Sequence, residues 1–129
     1  LGVSQLSRAN TGLSRRQEIA NRYDEAFQDV QGIKIPCRAG NVYHAFHLYV
    51  IQVEDRLGLY NYLRANKILA QVHYVPVHLQ PYYRELGNKS GDCPVAEEYY
   101  KHCLSLPMYP TLTDEEQQYV IDSVLAFMQ

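Results

Sequence analysis

The run VHYVPVHLQPYYREL, residues 72–86, holds two histidines, two prolines and three tyrosines. Side chains of these types could ligate a metal, exchange protons or line a pocket. His73 and His78 stand five positions apart; fully extended, that is roughly 16 Å and opposite faces of a strand. A zinc ion holds its ligand nitrogens about 2 Å away. Pro76 could bend the chain, yet no cysteine or carboxylate lies nearby in sequence to complete a site. His102 and Cys103 are adjacent on a helical pattern and so point in different directions. No metal site is expected.

Nucleophilic chemistry fares no better. The chain has no GxSxG elbow and no local signature of a Cys–His enzyme. Its seven glycines are scattered, so no loop is built to cradle phosphate. None of Lys34, Lys67, Lys89 and Lys101 stands in an evident Schiff-base setting. The residues themselves therefore describe no self-contained catalytic constellation. His44 and His47 read as core or sheet-surface histidines, and Tyr99 and Tyr100 as packing residues. His78, just past a strand and before a proline-opened helix, is placed where loops carry binding groups, and is expected to line a pocket.

The elements that would position these groups follow from periodicity. Leu6, Leu13, Ala20 and Phe27 recur at heptad spacing, flanked by Val3 and Tyr23, which predicts one long helix over 1–29. Gly12 is its weak point. Arg8, Arg15 and Arg22 make a second stripe, either a solvated face or one that meets phosphate or an acidic partner surface. Breakers Gly32, Pro36 and Gly40 mark 32–41 as a connector. HAFHLYVIQV (44–53) and ILAQVHYV (68–75) predict strands, with a helix between them at 54–67. His47, Tyr49 and Ile51 should share one strand face. Pro81 opens a short helix that Gly87 stops. A second proline-opened helix covers 94–104, and the prolines of SLPMYP (105–110) limit that stretch to an edge or very short strand. Thr113 and Glu116 form a capping box before Ile121, Val124, Leu125 and Met128 at helical spacing. The sum is an α+β module: three short strands with helices packed on one face, preceded by a long helix.

At 129 residues the chain is one domain, large enough to bury its own core. Hydrophobic residues at 47% and charged residues at 20% fit an ordinary globular protein. A net charge of −2 without basic blocks gives no reason to expect nucleic acid. The apolar runs are too short to span a bilayer, and LGVSQLSRAN lacks the pattern of a signal peptide. Three widely spaced cysteines read as free thiols in a reducing cytoplasm. Twelve tyrosines with no tryptophan point to surfaces that are partly apolar and partly wet. The chain opens without methionine, inside a helical pattern, and is expected to be a piece of a longer protein.

Taken together, HAFHLYVIQV, VHYVPVHLQPYYREL and CPVAEEYYKHCLSLPMYPTLTDEEQQYVIDSV resemble the C-terminal part of the DegT-type nucleotide-sugar aminotransferases. These enzymes have fold type I and use pyridoxal phosphate (PLP). LGVSQLSRAN…RRQEIANRYDEAF is similar to the helix that leads from their large domain into the small one. Within the family, HYVPVHLQPYYREL with GDCPVAEEYY looks closest to the PseC-type enzymes. The resemblance implies a small domain over 1–129, made of an entry helix (1–30) and an α+β body (33–129), with the large PLP-binding domain outside this chain. It implies transfer of an amino group from glutamate, by way of PLP, to C4 of a UDP-linked 4-keto-6-deoxy sugar, on the way to pseudaminic acid or a related surface glycan. A cytoplasmic homodimer is implied too. The Schiff-base lysine would lie in the large domain, so no catalytic residue is expected here. The substrate wall would comprise His78 first, then His73 and Tyr74, then His47. The pair Arg15–Arg16 falls where the family commonly has basic residues. A sugar dehydratase of the same family and a stand-alone α+β binding module are the alternatives.

Overall fold

A computed structural model describes residues 2–129. Helix α1, Gly2–Phe27, runs unbroken through Gly12 and is about 39 Å long at 1.5 Å per residue. Only its second half enters the core. Ile19, Ala20, Tyr23 and Phe27 are fully buried, whereas Val3 and Leu6 are 86% and 75% exposed. The apolar stripe is continuous in sequence, but the body of the domain covers only its C-terminal half.

A three-stranded antiparallel sheet follows, in the order β1 (Ile33–Lys34), β2 (Tyr49–Val53), β3 (Cys103–Leu106). β2 is central: Ile33 pairs with Val53 on one side, and Tyr49 pairs with Leu106 on the other. Tyr49, Ile51 and Val53 alternate into the core, as period-two patterning requires.

Two strands expected from the sequence are altered. Residues 44–48 do not extend β2, because Phe46 takes a left-handed backbone (φ 46°) and turns its ring inward, 3% exposed. The Phe46 and His47 carbonyls accept from the Arg16 guanidinium instead of from a neighbouring strand. Residues 68–75 form no strand either: Gln71 alone bridges Ser105. β3 offers little more to pair with, since a helix ends at His102 where it begins and Pro107, just past it, has no N–H. The short first strand arises inside the stretch expected to be a plain connector.

Helix α2 (Arg56–Ala65) is capped by Asp55, whose carboxylate accepts from Gly58 N at 2.8 Å, and it buries Leu59 and Leu63. Helix α5 (Asp114–Met128) opens with both arms of the expected capping box, Thr113 Oγ1 to Glu116 N at 3.1 Å and the return bond at 2.9 Å. It buries Val120, Ile121 and Val124 against α1 and α2. Helices α3 (Pro81–Glu85) and α4 (Pro94–His102) both open on proline, and neither has a buried residue. The α+β class and the long leading helix are as expected. No helix among the described residues is long and apolar enough to cross a membrane.

Candidate functional site

His73 stands in the wall between two cavities and is the residue common to both linings. On one side an open cavity of about 590 Å³ is bounded by His73, Tyr74, Cys93, Tyr99 and Tyr100. On the other, a cavity of about 530 Å³ has a floor of Ile68, Leu106 and Met108, with Lys67, Gln71 and Ser105 among its polar lining. Pockets of this size, mostly apolar with a few convergent polar groups, are the usual form of a small-molecule site.

The geometry of His73 comes from β3. Ser105 Oγ lies 2.8 Å from His73 Nδ1. Its backbone N–H donates to Gln71 O at 2.8 Å and its carbonyl accepts from Gln71 N at 3.0 Å. A buried strand residue thus grips both the ring and the chain two residues before it. The Tyr74 ring meets the His73 ring edge-on, with centroids 4.7 Å apart, and is 70% exposed on the cavity side.

The other two expected residues sit elsewhere. His78 lines neither of the two cavities that His73 joins, nor the groove along α1. Its Nε2 lies 2.9 Å from Glu97 Oε1, and both side chains are mostly covered. Glu97 also accepts from Ser90 Oγ (2.6 Å) and Gly91 N (2.7 Å). These bonds, the Ser90 hydroxyl foremost and then His78, pull the Glu97 carboxyl down to about 2. His78 therefore ties the 3-10 turn Val77–Leu79 to α4. His47 is exposed in a separate groove of about 1310 Å³ along α1, beside Arg8 and Arg16.

The arginine stripe meets acid within its own chain. Arg15 and Arg22 reach the same Asp114 oxygen at 2.7 and 2.9 Å, at the N-terminus of α5. The Arg15 bond is the main reason that the Asp114 carboxyl is held below its usual range. Arg16 does something the sequence pattern did not disclose. Its Nη1 lies 3.0 Å from Phe46 O, 3.2 Å from His47 O and 3.0 Å from Met108 O, binding α1 to two loops. Ser105 was also unforeseen, and Glu97, which its spacing would pair with Lys101, meets His78, Ser90 and Gly91 instead, while Lys101 pairs with Glu98. A polar residue inside the otherwise apolar run CLSL was the available signal for Ser105.

Among the described residues no group of three histidines, cysteines or carboxylates could hold a metal. Cys37 and Cys93 are exposed free thiols, and Cys103 is buried, which pushes its thiol up. The described residues do not by themselves fit PLP. Lys34, Lys67, Lys89 and Lys101 are all exposed, and the nearest to the His73 cavities, Lys67, stands at the turn after α2 rather than buried beside a carboxylate.

An antiparallel sheet of this order, led by a long helix and packed against further helices, is an α+β fold. The chain belongs to the DegT/DnrJ/EryC1/StrS aminotransferase family, whose model matches residues 1–125. It is 40% identical to the spore coat polysaccharide biosynthesis protein SpsC of Bacillus subtilis, over 96% of this chain and 34% of SpsC. The PLP form of Spr1654 from Streptococcus pneumoniae superposes with a TM-score of 0.92 at 30% identity, over 98% of this chain and 34% of that one. Helicobacter pylori PseC, an aminotransferase involved in the biosynthesis of pseudaminic acid, superposes with a TM-score of 0.89 at 30% identity, over 98% and 35%. Identity to SpsC thus exceeds identity to PseC, so a particular closeness to PseC is not supported. The chain spans about a third of the length of these relatives.

Proposed function

We propose that these residues form the C-terminal small domain of a PLP-dependent nucleotide-sugar aminotransferase, with α1 as the entry from a large domain outside this chain. PLP, held mainly by that large domain and its lysine, would supply the electron sink for amino-group transfer from glutamate. The acceptor we propose is C4 of a UDP-linked 4-keto-6-deoxy sugar, as in the formation of pseudaminic acid or a related surface glycan. The working protein would be a cytoplasmic homodimer.

The observation that carries this reading is the His73–Tyr74 pair, which forms the wall of an aromatic cavity within a chain of this family. His73 and Tyr74 are assigned to the sugar nucleotide, and His47 to the edge of the α1 groove. His78 would act through Glu97, fixing the segment that carries the pair.

The test uses the longer protein that contains this chain. His73→Ala should impair turnover of a UDP-4-keto sugar far more than it alters the absorbance of lysine-bound PLP. Equal loss of both would assign His73 to structure instead. Preference for a dTDP-linked keto sugar would overturn the proposed nucleotide, and lysine-bound PLP formed by the 129-residue chain alone would overturn the division of labour.

A further inference from the structure

Ser105 is 4% exposed, and its hydroxyl has one partner among the described residues, Nδ1 of His73 at 2.8 Å. Both of its backbone polar groups are engaged with Gln71. A hydroxyl carries one hydrogen, and a neutral imidazole carries its proton on one nitrogen only. Two arrangements are therefore open. If Nδ1–H donated to Oγ, the hydroxyl hydrogen would be left in a covered site with no acceptor. If Oγ–H donates to Nδ1, the buried hydroxyl hydrogen is used, the imidazole N–H lies on Nε2 of a side chain that borders the cavities, and only the hydroxyl lone pairs go unmet. Buried donors are seldom left unpaired, whereas under-used acceptor lone pairs are tolerated more readily.

We infer that Ser105 donates to His73 Nδ1 and so fixes His73 as the neutral tautomer with its proton on Nε2. Nε2 has no partner among the described residues, and His73 borders both cavities. The side chain is then a preset hydrogen-bond donor. It suits a carbonyl or hydroxyl oxygen of an uncharged portion of the ligand, such as a keto sugar ring, and it is not poised to take a proton through Nε2. Ser105 is a positioning residue: its hydroxyl is turned to His73, and it decides which kind of atom His73 can recognise. The grip on Gln71 reinforces this by holding the chain two residues upstream.

This inference rests on the reading of His73 as a ligand-facing side chain, but its test does not need the ligand. Ring-nitrogen NMR of the 129-residue chain in mildly alkaline solution should show one His73 tautomer, with Nδ1 bare and Nε2 protonated. In Ser105→Ala the two His73 nitrogens should move toward each other as the tautomers mix. His44, His47, His78 and His102 should stay in place, and Ser105→Thr, which keeps the hydroxyl, should restore the single tautomer. A protonated Nδ1 in the unaltered chain would overturn the inference whatever the variants do. So would His73 nitrogens that ignore Ser105→Ala in a folded variant. In the longer protein, Ser105→Ala should raise KM for the sugar nucleotide more than it lowers kcat. If the tautomer is as stated while His73→Ala leaves sugar turnover unchanged, the inference stands and the functional reading fails.

Discussion

Glu97 Oε1 stands 2.9 Å from His78 Nε2, across the gap between the 3-10 turn and α4. The same carboxylate collects the Ser90 hydroxyl and the Gly91 amide. Because α3 and α4 have no buried residue, apolar burial contributes little to holding this excursion in place. Polar ties remain: this three-donor carboxylate, and at the far end of α4 the contacts of His102 Nδ1 with Val53 O and of Arg56 Nε with Lys101 O; hydrogen bonds to a charged group are the stronger kind.

Glu97→Gln should loosen the excursion without unfolding the domain. The amide group keeps the shape but places a donor among donors. Hydrogen exchange should accelerate over 77–102 while α5 keeps its protection. Unchanged exchange over 77–102 would show that the node does not anchor the segment.

Acid should find the same weakness, and the sign is fixed by the direction of the shift. The Glu97 carboxyl is drawn down from the ordinary 4.5 to about 2 in the folded chain, chiefly by the Ser90 hydroxyl and His78. Its contribution is therefore fully present above about pH 4.5 and is lost as pH falls through about 2. Protection over 77–102, taken relative to the intrinsic amide rate at each pH, should fall progressively down that range, and Glu97→Gln should flatten the dependence.

Arg16 offers a test at the other end of the domain. One guanidinium nitrogen serves the carbonyls of Phe46, His47 and Met108. Arg16→Ala strands the half-buried carbonyls of Phe46 and Met108 and should lower stability by about 2–3 kcal/mol, read from the urea midpoint. Arg16→Lys keeps the charge but not the planar fork, and should recover only part of that loss. Full recovery by lysine would mean that charge alone matters there.

How legible this was depended on the range of the interactions. The capping box at Thr113 and Glu116, the proline-opened helices and the core alternation of Tyr49, Ile51 and Val53 are local, and spacing alone discloses them. The fate of 68–75 was not local. Its residue types suit a strand, yet β3 offers only Ser105 as a partner. The left-handed turn at Phe46 depends on Arg16, thirty positions away. For the site, His73 and Tyr74 were visible by type and by family resemblance. The pairing of His78 with Glu97, nineteen positions on, needed the fold.

Gly12 and Gly58 both lie in helices, and replacing each with alanine should have different outcomes. A Cβ at Gly12 would meet Pro110 Cγ at 3.5 Å, an ordinary contact, so the variant gains helix propensity worth about 1 kcal/mol. A Cβ at Gly58 would run into the Asp55 carboxylate that caps α2. Displacing that cap costs about 1 kcal/mol, which offsets the propensity gain. Gly12→Ala should therefore raise the urea midpoint, and Gly58→Ala should leave it level or lower it. The reverse order would contradict the capping role of Asp55.

Gln117 is fully buried on α5 and half satisfied. Its Nε2 donates to Ile19 O at 2.8 Å, while its Oε1 has no partner among the described residues. An uncompensated buried carbonyl costs roughly 1–3 kcal/mol, whereas the one bond it makes returns about 1 kcal/mol net. Ile19 O, inside α1, keeps its position as a helical acceptor when the side chain is removed. Gln117→Met has nearly the same length and adds no polar atom to the core. The variant should melt at the same temperature as the parent or a few degrees higher, as followed by circular dichroism. A clear drop in melting temperature would instead show that the bond to Ile19 outweighs the stranded oxygen, and that α1 and α5 are joined there by polarity rather than by packing.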